Sequence, residues 1–435
     1  MRALWKRLQR PVAMSRQRGI ALIVVIVVIS VLAAVLNDFA YHSTVDLEAA
    51  ANSRDRMRAE YLARSSINLG RLLIKIQQTL IDKFRAQAGD FQIAEFAPYL
   101  IKAFGGDADE RAGLGSLLGI SSSSMKGLGV GQGASFDLDL TAEDGKLNVN
   151  CGGGINDTPR QQVLYGVLTA LFFPPTYNSL FDTSDPDGQV STRDDVAKAI
   201  VDWADIDSQK FSVDGKSGGS EDYRYDVGKD PFKEHNHFFD TAEEVNLVRG
   251  VGDEFWGTFG EVLTVYGGCK VNASAITPEH WPLMAAIVRA TVKDSDAKNP
   301  ILLSDELMGQ HAQMIMGLAK MTGGFSSVAQ FIQMATDPAA AMQASDASKG
   351  SSGSSSSSSS TTTGIHLDPV KVDKIITVGP RRIWRLDATG KVQRTRSRGV
   401  EVHIRAIWDT QHFNQNNNSP DPNDRMGTWL FWRIE

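Results

Sequence analysis

Arg16-Gln17-Arg18-Gly19-Ile20-Ala21-Leu22-Ile23-Val24-Val25-Ile26-Val27-Val28-Ile29 is the stretch on which the reading of this chain turns. A basic segment ends in a glycine and runs, with no polar spacer, into an apolar helix-forming run that reaches Leu36 and is closed by Asn37 and Asp38. A secretory signal peptide is cut after its apolar region, usually at small residues. Here the obvious processing signal, Gly19, stands before that region, so the apolar helix would stay on the processed chain. From Ile20 to Leu36 the run is about 17 residues, the short limit for a helix that crosses a bilayer. Basic flanks on its N-terminal side predict that this end stays in the cytoplasm and that the rest faces the outer side of the inner membrane. A buried core helix is the competing reading, but a β-branched block directly after a basic N-terminus favours insertion. Met14 offers a second possible start, with a very short leader from Met14 to Gly19.

At 435 residues the chain exceeds one ordinary domain. Its formal charge is −6, yet the first nineteen residues carry six basic and no acidic side chains, so the remainder stands at −12. A body that acidic suits cations and is a poor partner for phosphate backbones, which argues against nucleic acid. Two cysteines occur, Cys151 and Cys269. In an oxidising periplasm such a pair is a candidate disulfide, and in the cytosol it reads as two buried thiols.

Helical periodicity continues past the membrane run. Leu62, Leu69, Leu73, Ile76, Leu80 and Phe84 recur at helical spacing, predicting an amphipathic helix over 20–88. Continuous from Ile20 to Phe84 it would be ~95 Å long at about 1.5 Å per residue. Residues 112–135 form a Gly/Ser-rich loop whose alternating glycines do not make a dinucleotide motif. Phe136-Asp137-Leu138-Asp139-Leu140 and Lys146-Leu147-Asn148-Val149-Asn150 flank Asp144-Gly145, a pattern that predicts a β-hairpin. Helical patterning fills 156–344, with Thr158-Pro159 and Thr277-Pro278 as helix starts and a capping box at Ser191-Thr192-Arg193-Asp194. The Ser-rich segment 345–365 reads as a linker. Strand patterns return over 374–378, 382–386, 400–407 and 429–432. Strands on both sides of a helical block predict an α+β fold in which one sheet is interrupted by an inserted helical domain. The divisions are then 1–19, 20–88, 89–155, 156–344, 345–365 and 366–435.

The densest set of possible ligands is Asp202-Trp203-Ala204-Asp205-Ile206-Asp207 followed by Gly218-Gly219-Ser220-Glu221-Asp222-Tyr223-Arg224-Tyr225. Calcium takes six to eight hard oxygens, and an Asp-x-Asp at a helix end with a Glu-Asp pair across a glycine-rich loop could close such a cage. A solvated acidic loop is the alternative. Asp185-Pro186-Asp187-Gly188 reads as a plain turn, and His235 and His237 as surface or core histidines. Leu247-Val248-Arg249-Gly250-Val251-Gly252 looks like the hairpin of a helix-hairpin-helix, but Asp253 and Glu254 argue against phosphate contact. His-Glu-x-x-His and P-loop motifs are absent from the sequence, so no enzymatic activity is expected.

Together these segments resemble the minor pseudopilin K family of the type II secretion system (general secretion pathway protein K). The basic-Gly19-apolar junction looks like a prepilin leader, which implies cleavage between Gly19 and Ile20 by a prepilin peptidase and methylation of Ile20. Val24, fifth after that junction, stands where most pilins and pseudopilins carry glutamate, and the lack of an acid there is a peculiarity of this subunit. The acidic stretches at 202–207 and 221–225 look like the family's acidic loop, Phe239 to Gly250 like its next signature, and Leu263 to Asn272 like a third. The resemblance implies a pilin-like fold: a long N-terminal helix packed on a small antiparallel sheet, with a large helical domain inserted between strands. It implies calcium in that domain, with Asp205, Asp207, Glu221 and Asp222 as ligands. It implies partners too: minor pseudopilins I and J, the major pseudopilin and the inner membrane, with the subunit at the pseudopilus tip starting assembly. The alternatives are a minor pilin of a type IV pilus and a membrane-anchored periplasmic hydrolase. The leader reading has a direct check. Intact mass of membrane-purified protein should show loss of residues 1–19 and a methylated Ile20, and Gly19→Val should block the cut; a cut beyond residue 36 would contradict it.

Overall fold

The computed structural model describes residues 18–78, 96–97, 99–100, 133–154, 158–181, 190–214, 219–221, 225, 231–322, 324–338, 341, 364–394, 399–411 and 427–435. Residues 1–17, most of 79–132, Asp185–Gly188 and 345–363 of the Ser-rich segment lie outside this set, as do Leu80 and Phe84.

Helix α1 runs from Arg18 to Ile76, 59 residues or ~88 Å at about 1.5 Å per residue. In its first third the large apolar side chains from Ile20 to Leu36 are exposed on every side. Its second half lies on a sheet of four strands in the order β1 (Ala134–Ala142), β6 (Ile383–Val392), β7 (Val400–Asp409) and β8 (Thr428–Ile434), antiparallel throughout. Alternation along β1 follows the sequence pattern, with Phe136 and Leu138 buried and Asp139 out. The face turned to α1 carries Phe136, Leu138, Leu386, Ala388 and Ile404.

The centre of the helix–sheet contact is not the leucine row. Ala59, Ala63, Ser66 and Gly70 are its closest approach, while Leu62, Leu69 and Leu73 flank it half-buried. Small residues are required because the helix backbone presses on the sheet backbone. A Cβ on Gly390 would overlap the Ala59 carbonyl and stand 2.8 Å from the Ala63 amide. Beside this seam Asp55 is buried and paired with Arg394 at 2.5 Å, whose hydrogen bond holds the carboxyl below its ordinary range.

The expected hairpin across Asp144-Gly145 does not form. The strand beside β1 is β6, in register Leu138↔Ala388, some 240 residues on. Glu143–Gly145 is a 3₁₀ turn, and the Asp144 carboxylate accepts the amides of Arg382 and Ile383, both at 2.6 Å. Gly145 meets the backbone of Ala275, and Lys146 is buried against Glu143 at 3.0 Å, so the chain leaves the sheet instead of doubling back. The described residues from here to 382 form the inserted unit, with Ala275 packed against the sheet. Its core draws in Leu147 and Val149 on one side and Leu367, Val372 and Ile375 on the other, beyond the 156–344 expected. Of the expected strand at 374–378, Ile376 and Thr377 do form a strand, while Lys374 and Ile375 end a helix that begins at Pro369 and is capped by Asp368 through the Val370 amide.

The inserted unit is built twice over. The first pass is β2 (Leu147–Asn148), α2 (Thr158–Phe172), α3 (Arg193–Ala204), α4 (Asp253–Phe259) and β3 (Leu263–Thr264). The second is β4 (Val271–Asn272), α5 (Trp281–Thr291), α6 (Asp305–Thr322), α7 (Val328–Thr336), α8 (Pro369–Ile375) and β5 (Ile376–Thr377). In place of α7 the first pass has a 3₁₀ turn, Ala242–Leu247. β2 pairs in parallel with β3, and β4 with β5. Asn148 accepts from the Asn150 amide and donates to the Gly267 carbonyl; Asn272 accepts from the Ser274 amide and donates to the Gly379 carbonyl. Asn150 then takes the Phe239 amide and Ser274 the Phe325 amide. One difference between the two passes bears on the acids: Ser327 follows Thr322 after a few residues, whereas Thr241 follows Ala204 only after the acidic loop.

The seam gives a mutational test. Gly390→Val should cost at least ~1–3 kcal/mol by overpacking, read as a lower melting temperature of the full chain in detergent. Gly317→Ala, on an exposed helical face with nothing within 4 Å, should be neutral or slightly stabilising.

Candidate metal centre

Capping fixes where α3 begins. Thr192 accepts the Asp195 amide while the Asp195 carboxylate takes the Thr192 amide. Twelve residues later the helix ends at Ala204. Asp202 and Asp205, three apart, therefore leave the last turn on the same side. The chain then runs through a loop closed by a bridge between Gln209 and Ser220, which brings Glu221 back to the helix end. Ligand oxygens of Asp202, Asp205 and Glu221 lie within 4.8 Å of one another, and all three residues are buried. A fourth buried carboxylate, Glu234, lines the same cavity of about 210 Å³ with Asp202, Glu221 and Tyr225.

Few hydrogen bonds reach these groups. Asp202 accepts the Phe211 amide at 2.6 Å, and Asp205 accepts the Gln161 side-chain amide at 3.0 Å. The second oxygen of Asp205, both oxygens of Glu221 and one of Glu234 are buried without a partner. Burial drives every one of them upward, with repulsion from neighbouring carboxylates adding to it: Asp202 to about 7, Asp205 to about 8, Glu221 to about 9 and Glu234 to about 8. Lys210 and Arg249 lower Asp202 but do not cancel the desolvation. A buried carboxylate needs a donor or a cation, and carboxylates that share a site cannot all ionise without one. An all-oxygen set of this kind fits a hard divalent ion such as calcium.

Of the residues singled out from sequence, Asp205 and Glu221 are brought together here. Asp207 is exposed: its carboxylate takes the Gln209 amide at 2.8 Å, and its charge raises Asp205 from alongside. Asp222 lies outside the described residues. Asp202 was visible in the Asp-x-x-Asp-x-Asp run, but nothing in the local pattern marks Glu234, whose place depends on the loop's return path. His235 pairs with Glu244 at 3.1 Å, and Glu244 also accepts the Trp203 indole, so His235 braces the loop instead of facing the carboxylates. Cys151 and Cys269 form a disulfide, with Cα atoms 5.4 Å apart. Gly19 has nothing within 4 Å, and Ile20 and Val24 are 62% and 54% exposed on the outward-facing apolar helix. A window of this helix has mean hydropathy 3.3 and no buried share, long and apolar enough to cross a membrane.

No protein-family model matches the chain, and no curated protein matches it. Among solved structures it is similar to a chain of the GspK–GspI–GspJ complex of the enterotoxigenic Escherichia coli type 2 secretion system. The TM-score is 0.42 at 13% sequence identity, covering 70% of this chain and 80% of that one.

Sign and direction of the pH dependence follow from the raised carboxyls. The ion-free folded state holds protons that the unfolded state gives up near its ordinary values of 3.8 to 4.5. Its stability is therefore full in acid and falls as pH rises from about 4 through 7–9. Chelator-treated protein should melt close to Glu221→Gln at pH 5. At pH 8 it should melt below that variant by an amount on the order of 1–3 kcal/mol. Calcium should raise the wild-type melting temperature at pH 8 and slow proteolysis within 208–220. No response to chelation at pH 8 would overturn the site.

Proposed function

We propose that this chain is a minor pseudopilin of the type II secretion system that sits at the pseudopilus tip and helps start its assembly for export of folded proteins across the outer membrane. One observation carries the reading: a single helix is exposed in its first half and apolar up to Leu36, then docks through small residues on an antiparallel sheet that a large helical unit interrupts. An element of that kind needs lipid or neighbouring helices around its first half and leaves its head free. On this reading the bare segment is a single-pass inner-membrane anchor, the head is periplasmic, and residues 1–19 are a leader removed by prepilin peptidase.

The role is structural rather than catalytic. An acid–base pair needs carboxyls whose affinities for protons are pushed apart, and here all four move up together. Calcium, held by Asp202, Asp205 and Glu221 with Glu234 in reach, would supply the missing charge and fix the loop. Proposed partners are the minor pseudopilins I and J and the major pseudopilin.

Tip placement follows from Val24. In a pilin-like bundle a glutamate at this position neutralises the N-terminal amine of the neighbour already in place. An unpaired charge in an apolar bundle costs at least ~2.5–3.5 kcal/mol. With valine there, the subunit offers no such partner and is poorly suited to join beneath another; it can still be first, its own amine met by the next subunit's glutamate. The bulk of the inserted unit points the same way, because heads of that size would collide along a shaft. A tag on the head, seen by electron microscopy, should mark one end of each filament, and regular decoration along the shaft would overturn the proposal.

A further inference from the structure

The 3₁₀ turn Val149–Gly152 stands between the two ends of the acidic loop. On the outgoing side it lies against the last turn of α3, which carries Asp202 and Asp205. A Cβ on Gly152 would stand 3.2 Å from the Val201 carbonyl, and one on Gly153 would stand 2.7 Å from the Ala204 carbonyl and strike the Phe238 ring. On the returning side Asn150 grips Phe239 as a strand would, accepting its amide at 2.7 Å and donating to its carbonyl at 3.0 Å. The same side chain reaches the Val265 carbonyl at 3.4 Å. Between these holds, the His237 amide meets the Trp203 carbonyl and the Asn236 side chain meets the Asp207 carbonyl. The turn thus touches both α3 and the segment that carries Glu234, alongside the direct bonds between them.

The internal repeat shows what is special about that turn. Counted from the shared Asn148 and Asn272, Gly145 and Cys269 hold one equivalent place, and Cys151 and Ala275 the other. Gly145 meets Ala275 through backbone contact, at the turn that holds Phe325 and carries no acidic loop. Cys269 meets Cys151 through a covalent bond, at the turn that holds both ends of the acidic loop. The half that must hold like charges together is the half that is stapled.

We propose that Asn150 and the Cys151–Cys269 disulfide position the cation site, so that calcium affinity and the bond are thermodynamically linked. The proposal rests on the cation reading above. Reduction by a dithiol delivers two electrons and two protons, giving two protein thiols and a cyclic disulfide from the reagent. No ligand atom changes, so any change in affinity is transmitted through position alone. Linkage is reciprocal: if reduction weakens calcium binding, calcium must oppose reduction by the same factor.

Full chain in detergent, titrated calorimetrically with calcium, tests this. Oxidised protein should bind, and dithiol-reduced protein should bind roughly tenfold more weakly, within the usual range of such couplings. Calcium should disfavour reduction of the disulfide in a dithiol redox buffer, with half its effect at a concentration near the dissociation constant of the oxidised protein. Asn150→Ala, with the disulfide intact, should bind more weakly and lose most of that protection. Equal affinity before and after reduction, with calcium-independent reduction, overturns the coupling and leaves the cation site standing. If reduction unfolds the inserted unit by circular dichroism, Asn150→Ala decides alone, and unchanged affinity there overturns the proposal. An oxidised wild-type protein that binds no calcium removes the cation reading itself.

Discussion

The contact of Ala59 and Ala63 with Gly390 is the constraint from which the rest of this architecture follows. It brings a helix backbone onto a sheet backbone at a distance that admits no side chain between them. That closeness makes the sheet a platform for the second half of α1, while the apolar side chains from Ile20 to Leu36 stay exposed. It also fixes β6 at the middle of the sheet, paired with β1 on one side and β7 on the other. The long excursion between β1 and β6 must then leave and re-enter at one place. Asp144 ties the exit to the start of β6 through the Arg382 and Ile383 amides, and Arg385 meets Glu143 and Glu261 across the same junction. An insertion anchored this way can be large without disturbing the helix–sheet seam, since its core is separate from theirs.

Within the insertion, two copies of one arrangement have been put to different ends. The second copy closes the connection between its helices in a few residues and holds it with Ser274. The first lengthens that connection, fills it with acids and stabilises it by Asn150 and a disulfide. The acidic loop is therefore present in one copy of the arrangement and absent from the other. Its carboxylates have too few donors to be stable as ions where they are, and this is the physical reason to read them as ligands rather than as a solvated surface.

How much of this could be read from the residues depends on the range of the interaction concerned. The membrane run, the cap at Thr192 and the alternation in β1 are local, and the sequence shows them directly. Asp202 was passed over for its exposed neighbour Asp207, but Asp205 and Glu221 were legible as part of an acidic set, one at a helix end and the other after a glycine-rich loop. Glu234 was not, since a single glutamate in a polar stretch carries no sign of where the chain will return. The Asp144-Gly145 turn misled for a related reason. Its carboxylate and its missing side chain serve partners more than a hundred residues away, and a hairpin rule sees only the neighbours. Likewise the leucine row on α1 drew attention from the small residues, whose importance appears only when Gly390 is placed opposite them.

The account's central claim is that this chain is one member of a mixed pilin-like assembly and not a free-standing membrane protein. Co-expression of the full chain with candidate I and J subunits from the same secretion system, followed by native mass measurement in detergent, addresses it most directly. The account predicts a complex with one copy of each chain, lost when the apolar half of α1 is replaced by an unrelated membrane helix and the inserted unit is deleted together. A chain that purifies alone under these conditions, or that assembles chiefly with copies of itself, would contradict it.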